Sequence, residues 1–290
     1  MSNPLHASSY ADSAIQQRVA VVENVCIAQN TYRLRFRCPP MARRILPGQF
    51  LMLRLADCND PLIGRPLAVY NVVPGEDGAP ADLDVVYLVK GKLTTRLAHI
   101  VPGEILDVWG PLGNGFSTPE CEHLVMVAGG IGQTPFLTLA KEYLGLQTFG
   151  DPPRQTARAS KVTFCYGAQT AALLAGIEDF EKTGACVELA TEDASQGHAG
   201  YVTAILENIL NENSTGVHVA CCGPEAMMEV VAGIAGRFNV PCQVSLETPM
   251  ACGIGICFTC VAKVADEDGE WDYKRTCVEG PVFDGAKIVW

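Results

Sequence analysis

Residues 250–260 read Met-Ala-Cys-Gly-Ile-Gly-Ile-Cys-Phe-Thr-Cys, and the reading of the chain turns on this run. Cys252, Cys257 and Cys260 stand in a C-x4-C-x2-C arrangement, and Cys277 follows in the run Lys274-Arg275-Thr276-Cys277. Three thiolates on one tight loop and a fourth from the next segment make a metal–sulfur nest, at the spacing of plant-type [2Fe–2S] clusters. Structural zinc sites usually draw two close pairs of ligands, so zinc suits this spacing less well. A set of small buried cysteines is the remaining alternative. Gly253 and Gly255 fall between the first two ligands. There the missing Cβ lets backbone wrap closely and aim N–H groups at sulfur.

Upstream of this loop, roughly residues 120–247 alternate between strand-like and helix-like runs. Strands are expected at 124–130, 161–168, 186–192, 217–223 and 242–247, and helices from Thr134 to Leu144, then at 171–182, 202–211 and 224–236. Such alternation predicts a Rossmann-like parallel sheet with helices on both faces. The first strand runs into Gly129-Gly130-Ile131-Gly132-Gln133-Thr134-Pro135. Glycines here permit close approach of backbone to a pyrophosphate, and Thr134-Pro135 open a helix whose N-terminus favours phosphate. A plain tight strand–helix turn is the alternative. Strand ends at Tyr166-Gly167-Ala168, Thr191-Glu192-Asp193 and Cys221-Cys222-Gly223-Pro224 fall on the same carboxyl edge, where open α/β sheets bind ligands. Glu192 or Asp193 can accept a hydrogen bond from a ribose 2′-hydroxyl and repel a 2′-phosphate, which favours NAD(H) over NADP(H). Both are otherwise solvated loop acids.

Residues 15–117 carry a different pattern. Six short runs rich in β-branched and aromatic residues (18–28, 31–38, 49–55, 66–72, 82–90 and 104–110) are separated by Pro39-Pro40, Pro47-Gly48, Pro74-Gly75 and Pro102-Gly103. Their close spacing predicts a six-stranded antiparallel barrel, interrupted by a helical piece from Leu93 to Ile100. Two features exceed packing needs. Arg65-Pro66-Leu67-Ala68 opens a strand with a guanidinium able to fork onto a diphosphate. Tyr87-Leu88-Val89 leads through a glycine turn to a helix start bearing Thr94 and Thr95. A helix start of this kind offers free N–H groups to phosphate, or is an ordinary threonine cap.

The whole chain sets bounds on these readings. Its 290 residues suffice for two or three domains, and its formal net charge of −11 disfavours nucleic acid. No run of eighteen apolar residues occurs, so no membrane insertion is expected. The N-terminus MSNPLHASSYADSAIQQ lacks an apolar signal segment, and residues 1–15 are expected to be a disordered leader. Thirteen cysteines, an odd count without a pair framework, fit a reducing cytoplasm. The histidines are scattered, and no Ser/His/Asp grouping for hydrolysis stands out.

The order of parts resembles the ferredoxin–NADP reductase superfamily. The likeness rests on R-P-L-A, the following G-x-x-T-T, GPLGNGF at 110–116, GGIGQTP and C-G-P. The tail, SLETPMACGIGICFTC followed by KRTCVEGPVFDGAKIVW, is similar to the electron-transfer subunits of type B dihydroorotate dehydrogenases. The resemblance implies an FAD-binding β-barrel over 16–117, an NAD-binding α/β domain over 118–247 and a small [2Fe–2S] domain over 248–290. Arg65, Pro66, Leu67, Ala68, Tyr87, Leu88, Val89, Thr94 and Thr95 would then hold FAD. Gly129, Gly130, Gly132, Thr134, Cys222, Gly223 and Pro224 would bind NAD(H), with Cys222 beside the nicotinamide. Cys252, Cys257, Cys260 and Cys277 would hold the cluster. Two positions depart from the superfamily: Ala68 stands where Ser or Thr is common, and Leu93 where glycine is frequent. The resemblance further implies an FMN-containing dihydroorotate dehydrogenase catalytic subunit as partner, in a hetero-tetramer, with the orotate chemistry in that partner. The related small subunit of a ferredoxin-dependent NAD(P) oxidoreductase or sulfhydrogenase shares the same order of parts. The acids Asp266, Glu267, Asp268, Glu270 and Asp272 either steer partner docking or form a solvated hairpin tip.

Overall fold

The computed structural model describes residues 11–290. Most of the expected leader, residues 1–10, lies outside the described residues. Its last part is ordered, because the Ala14 N–H donates to the Ala11 carbonyl at 3.0 Å, and both alanines pack on the apolar residues beneath the cysteine loop.

Six strands close a barrel: β1 (Ile15–Ala28), β2 (Thr31–Arg37), β3 (Phe50–Leu55), β4 (Arg65–Pro74), β5 (Pro80–Leu88) and β6 (Ile105–Leu112). Their order is β1-β2-β5-β4-β3-β6, and every pair is antiparallel, as the alternating pattern predicts. On β2, Leu34 and Phe36 are fully buried, while Arg35 points outward and forks onto Asp84 of β5 at 2.7 and 2.9 Å. The Pro39-Pro40 run, expected as a turn, instead opens a one-turn helix, α1 (Pro39–Ala42). Proline's fixed φ suits a first helical turn, and Met41 and Ala42 are buried against the barrel. The expected helix from Leu93 is α2 (Lys92–Leu97), whose Leu93 and Leu97 plug one end of the barrel.

The second part contains β7 (His123–Gly129), α3 (Phe136–Tyr143), β8 (Lys161–Ala168), α4 (Ile177–Glu181), β9 (Cys186–Thr191), β10 (His198–Ala199), α5 (Val202–Glu212), β11 (Val217–Cys222), α6 (Glu225–Arg237) and β12 (Cys242–Ser245). These strands are parallel, and Leu124 to Ala128 of β7 are wholly buried, as a sheet covered on both faces requires. Two expected helices change. The one expected from Thr134 is preceded by a 3-10 turn, Gly130–Gln133, and becomes regular only at Phe136. The one expected at 171–182 is split by Gly176, whose φ of +73° no regular helix contains, so only α4 remains regular.

The tail adds β13 (Val261–Ala265) and β14 (Trp271–Arg275) as a hairpin, then β15 (Val282–Asp284). β15 pairs antiparallel with β12 and extends the parallel sheet to the order β10-β9-β8-β7-β11-β12-β15. Barrel and sheet are joined along β4. The Tyr70 hydroxyl donates to Asp179 at 2.9 Å, Lys141 donates to Asn71 at 2.6 Å, and the Gln147 amide donates to the Val72 carbonyl at 3.2 Å. The polar stretch after α3 is tied in by Arg154, which forks onto buried Glu142 and donates to the Phe116 carbonyl at 2.7 Å.

Candidate functional site

At the carboxyl ends of β7, β8, β9 and β11 a cavity of about 560 Å³ opens, lined in part by Gly130, Gly167, Glu192, Tyr201, Pro224 and Met227. Gly130 has φ +55° and nothing within 4 Å of where a Cβ would stand, so its backbone is open to a ligand. Gly129 and Pro224 also line the cavity, but Gly132, Thr134, Cys222 and Gly223 do not. These four form the support behind it. A Cβ on Gly132 would lie 2.4 Å from the Cys222 carbonyl oxygen, so only glycine lets the turn after β7 pack on the turn after β11. Cys222 is buried, and burial first, then the charge of Glu247, holds its thiol well above the usual range. Of the two acids at the end of β9, Glu192 lines the cavity. Asp193 is turned into its own loop, accepting from the Ser195 backbone N–H at 3.0 Å. Sequence reasoning passed over Gly200, Tyr201 and Met227, which reach the cavity only through β10 and α6. Glu247 was passed over too. Its carboxyl is raised by the protein crowded around it, with Lys90 of the barrel pulling the other way.

The residues expected to hold FAD gather at one end of the barrel. Because β4 and β5 are antiparallel, the start of β4 lies beside the end of β5 and the turn into α2. Arg65 is exposed, with its guanidinium on the carbonyls of Ile63 and Gly64, both at 3.1 Å. Pro66, Leu67, Ala68, Leu88 and Val89 are half-buried. Tyr87 differs: its ring is in the barrel core, stacked on Tyr32 at 5.8 Å, and its hydroxyl bonds Asn24 at 3.1 Å. Its side chain is therefore spent on packing. Thr94 caps its helix, its hydroxyl accepting from the Lys90 and Gly91 N–H groups at 3.0 Å, while Thr95 is left exposed. Leu93, at the position where glycine is frequent, fills the barrel end.

The four cysteines of the tail are unpaired thiols that come together as two pairs, Cys252 with Cys257 and Cys260 with Cys277. Among the described residues no three His, Cys, Asp or Glu side chains close around a single metal ion. Two sulfur pairs suit a two-iron cluster, one pair to each iron. The Thr259 hydroxyl donates to Cys257 Sγ at 3.3 Å and the Ile254 N–H to Cys252 Sγ at 3.4 Å. Hydrogen bonds lower the Cys257 thiol to about 6, chiefly that from Thr259, and the Cys260 thiol to about 6, chiefly that from Cys277, whose own thiol rises in return. These bonds favour the thiolate at Cys257 and Cys260, the form that binds metal. Cys257 is exposed, and Cys260 and Cys277 are buried.

The loop is seated on the barrel. Gly253, at φ +74°, lies so close to β3 that a Cβ would be 2.5 Å from Met52 Cγ, and the Trp109 indole N–H donates to the Cys252 carbonyl at 2.9 Å. Met52 is paired with Pro66 and Phe50 with Ala68. The cysteine loop and the R-P-L-A strand are thus one strand apart, which no motif spacing reveals. The acidic stretch forms the exposed tip between β13 and β14, where Asp266 accepts from the Asp268 N–H at 3.1 Å.

Comparison with known proteins agrees with this geometry. Residues 18–116 match an oxidoreductase FAD-binding domain, 126–233 an oxidoreductase NAD-binding domain, and 247–289 the iron–sulfur cluster binding domain of dihydroorotate dehydrogenase B. The chain is 33% identical over 265 residues to the dihydroorotate dehydrogenase B (NAD(+)) electron transfer subunit of Desulforamulus reducens, covering 91% of this chain and 94% of that one. It is 35% identical over 278 residues to the subunit of the same name from Bacillus caldolyticus, covering 94% and 98%. Among solved structures, that of an NADH-dependent reduced ferredoxin–NADP oxidoreductase, described for flavin-based electron bifurcation, superposes with a TM-score of 0.77 at 28% identity, covering 94% of this chain and 90% of that one. The ferredoxin reductase of carbazole 1,9a-dioxygenase, with a TM-score of 0.63 at 18% identity over 79% of this chain and 67% of that one, shares the fold.

Proposed function

This chain belongs to the family of dihydroorotate dehydrogenase B electron-transfer subunits, and from that premise we propose that it passes electrons from an FMN-bearing, dihydroorotate-oxidising partner to NAD+. It is an oxidoreductase chain for FAD, a [2Fe–2S] cluster and NAD(H). The observation that carries the proposal is the seating of the cysteine loop on Met52, opposite Pro66, with the α/β part that bears the nucleotide cavity joined to the same barrel through Tyr70 and α4. This arrangement supports a reading in which cluster, flavin and nicotinamide follow one another along β3, β4 and the sheet.

The chemistry of the carriers explains that order: bound FAD supplies the exchange between a hydride, two electrons at once, and the single electrons of an iron–sulfur centre. The chain's own residues do the holding. Arg65 and the start of α2 offer a guanidinium fork and N–H groups to a diphosphate. Gly130 opens its backbone to a second pyrophosphate, and Glu192 accepts from a ribose hydroxyl. Buried Cys222 stays an uncharged thiol and braces the cavity floor. Cys252, Cys257, Cys260 and Cys277 hold the irons, with Cys257 at the surface where a partner can approach. All thirteen cysteines, which lie among the described residues, are unpaired, which supports a reducing cytoplasm.

The test is reconstitution. The chain alone should oxidise NADH with ferricyanide yet make no orotate. Anaerobic assembly with the FMN subunit into a hetero-tetramer should yield dihydroorotate-dependent NADH formation. Electron delivery from reduced ferredoxin, with none from the FMN subunit, would overturn the assignment in favour of the ferredoxin-dependent relative that the 0.77 TM-score neighbour represents.

A further inference from the structure

Arg275 lies two residues before Cys277 but makes its contacts across the cysteine loop. Its Nη1 donates to the Gly255 carbonyl at 3.1 Å, in the span between Cys252 and Cys257. Its Nε donates to Glu279 at 3.0 Å, and the same carboxylate accepts from the Arg275 backbone N–H at 2.8 Å. Its Cζ stands 5.3 Å from the centroid of the Phe258 ring. That ring neighbours Cys257 and is held out to solvent, 63% exposed, on a backbone at φ +54°. Gly255, at φ +82°, leaves the space: a Cβ there would be 3.3 Å from Arg275 Nη1. A guanidinium with its stem half-buried is thus fixed on three sides, against the loop that carries three of the four ligands.

Four thiolates make the loop's centre strongly negative, and an added electron makes it more so. A fixed cation beside it stabilises the reduced state more than the oxidised one, since Coulomb energy scales with the charge opposed. Lysine could not replace this arrangement, because the three contacts use the planar fork and its stacking face. The surroundings run the other way, with five acids on the adjoining hairpin and a chain charge of −11.

We propose that Arg275 is a positioning residue that raises the cluster's reduction potential, its positive charge held against the Gly255–Phe258 segment and partly offset by Glu279. This rests on the reading that the four cysteines hold a [2Fe–2S] cluster. The experiment is a redox titration of the full-length holoprotein, followed by the electron paramagnetic resonance of the reduced cluster, on wild type, Arg275→Gln, Arg275→Lys and Glu279→Gln. Iron and sulfide content are measured in parallel. Arg275→Gln should shift the midpoint to more negative values while the flavin midpoint stays put. Arg275→Lys should fall between it and wild type. Glu279→Gln keeps the acceptor, removes the opposing charge and leaves the arginine in place, so it should shift the midpoint to more positive values. An unmoved midpoint in Arg275→Gln at full iron content overturns the inference. If Arg275→Gln fails to hold iron, an unmoved midpoint in Glu279→Gln overturns it instead. Wild type without iron, sulfide or the resonance would sink the cluster reading itself.

Discussion

Gln133 shows how far a single residue can be read. It lies inside the G-G-I-G-Q-T-P turn, where a sequence reading assigns a phosphate contact to the loop as a whole. Its side chain is fully buried, and neither its Oε1 nor its Nε2 has a partner among the described residues. A cofactor does not explain this, since a group facing a ligand site would be exposed when that site holds no ligand. A buried polar group left unmet costs about 1–3 kcal/mol, so Gln133→Met, which keeps the shape, should raise stability by that amount. Thermal unfolding followed by circular dichroism reads it, and a fall in midpoint would show that the amide has a bound water as partner. The neighbouring Gly132 was legible as a required glycine, but for a different reason from the one spacing suggests. The space where its Cβ would stand is filled by the Cys222 carbonyl. Tyr87 and Thr94 follow the same rule: hydrogen-bonding and aromatic groups beside a site were recruited first by packing and capping.

Among the elements, long amphipathic or apolar runs were legible and short ones were not. β7, β8 and β11 carry enough consecutive apolar residues to declare themselves, whereas β10 has two residues and β15 three. Such strands exist because a sheet edge is there to pair with, which local sequence does not encode. The amino ends of β11 and β12 carry a pH-sensitive contact. His218 is buried, its Nε2 accepts from the Gln243 amide at 2.7 Å, and burial lowers it to about 4. In the unfolded chain it protonates near its ordinary 6.5, so between about 6.5 and 4 the unfolded state binds the extra proton. Stability therefore falls as pH drops through that window. His218→Asn should remove roughly 2 kcal/mol of the loss between pH 7 and pH 5. Urea unfolding at the two pH values, wild type against variant, measures it. Equal losses in both proteins would mean that His218 is not the group responsible.

At the scale of the whole molecule the tail is not an appendage. β15 completes the sheet beside β12, and Asn114, at the exit of the barrel, accepts from the Val282 N–H at 3.2 Å and donates to the Val282 carbonyl at 2.8 Å. Trp109 and Met52 hold the cysteine loop to the barrel from the other side. Metal bound by a folded tail is linked to folding of what the tail is built into. Removing iron with a chelator should lower the melting midpoint of the entire chain by several degrees in one cooperative transition, as seen by calorimetry. A separate early transition, with the main one unmoved, would show instead that the tail folds independently.

The residue order alone determined the barrel-then-sheet architecture, and it singled out the four cysteines proposed as cluster ligands and the barrel end proposed for a diphosphate. Each of these depends on spacing or periodicity along the chain, which covalent geometry carries directly. Only the tertiary structure decided which glycines line the cavity and which pack against another turn, that Asp193 turns away while Glu192 lines the cavity, and that Arg275 reaches back across the cysteine loop. It also decided that the cysteine loop rests one strand from Pro66 and Ala68. Most of those outcomes depend on contacts between segments apart in the chain, such as Gly132 with Cys222 and Met52 with Gly253, set by burial and close packing once all three parts are in place, and no local pattern in the chain records them.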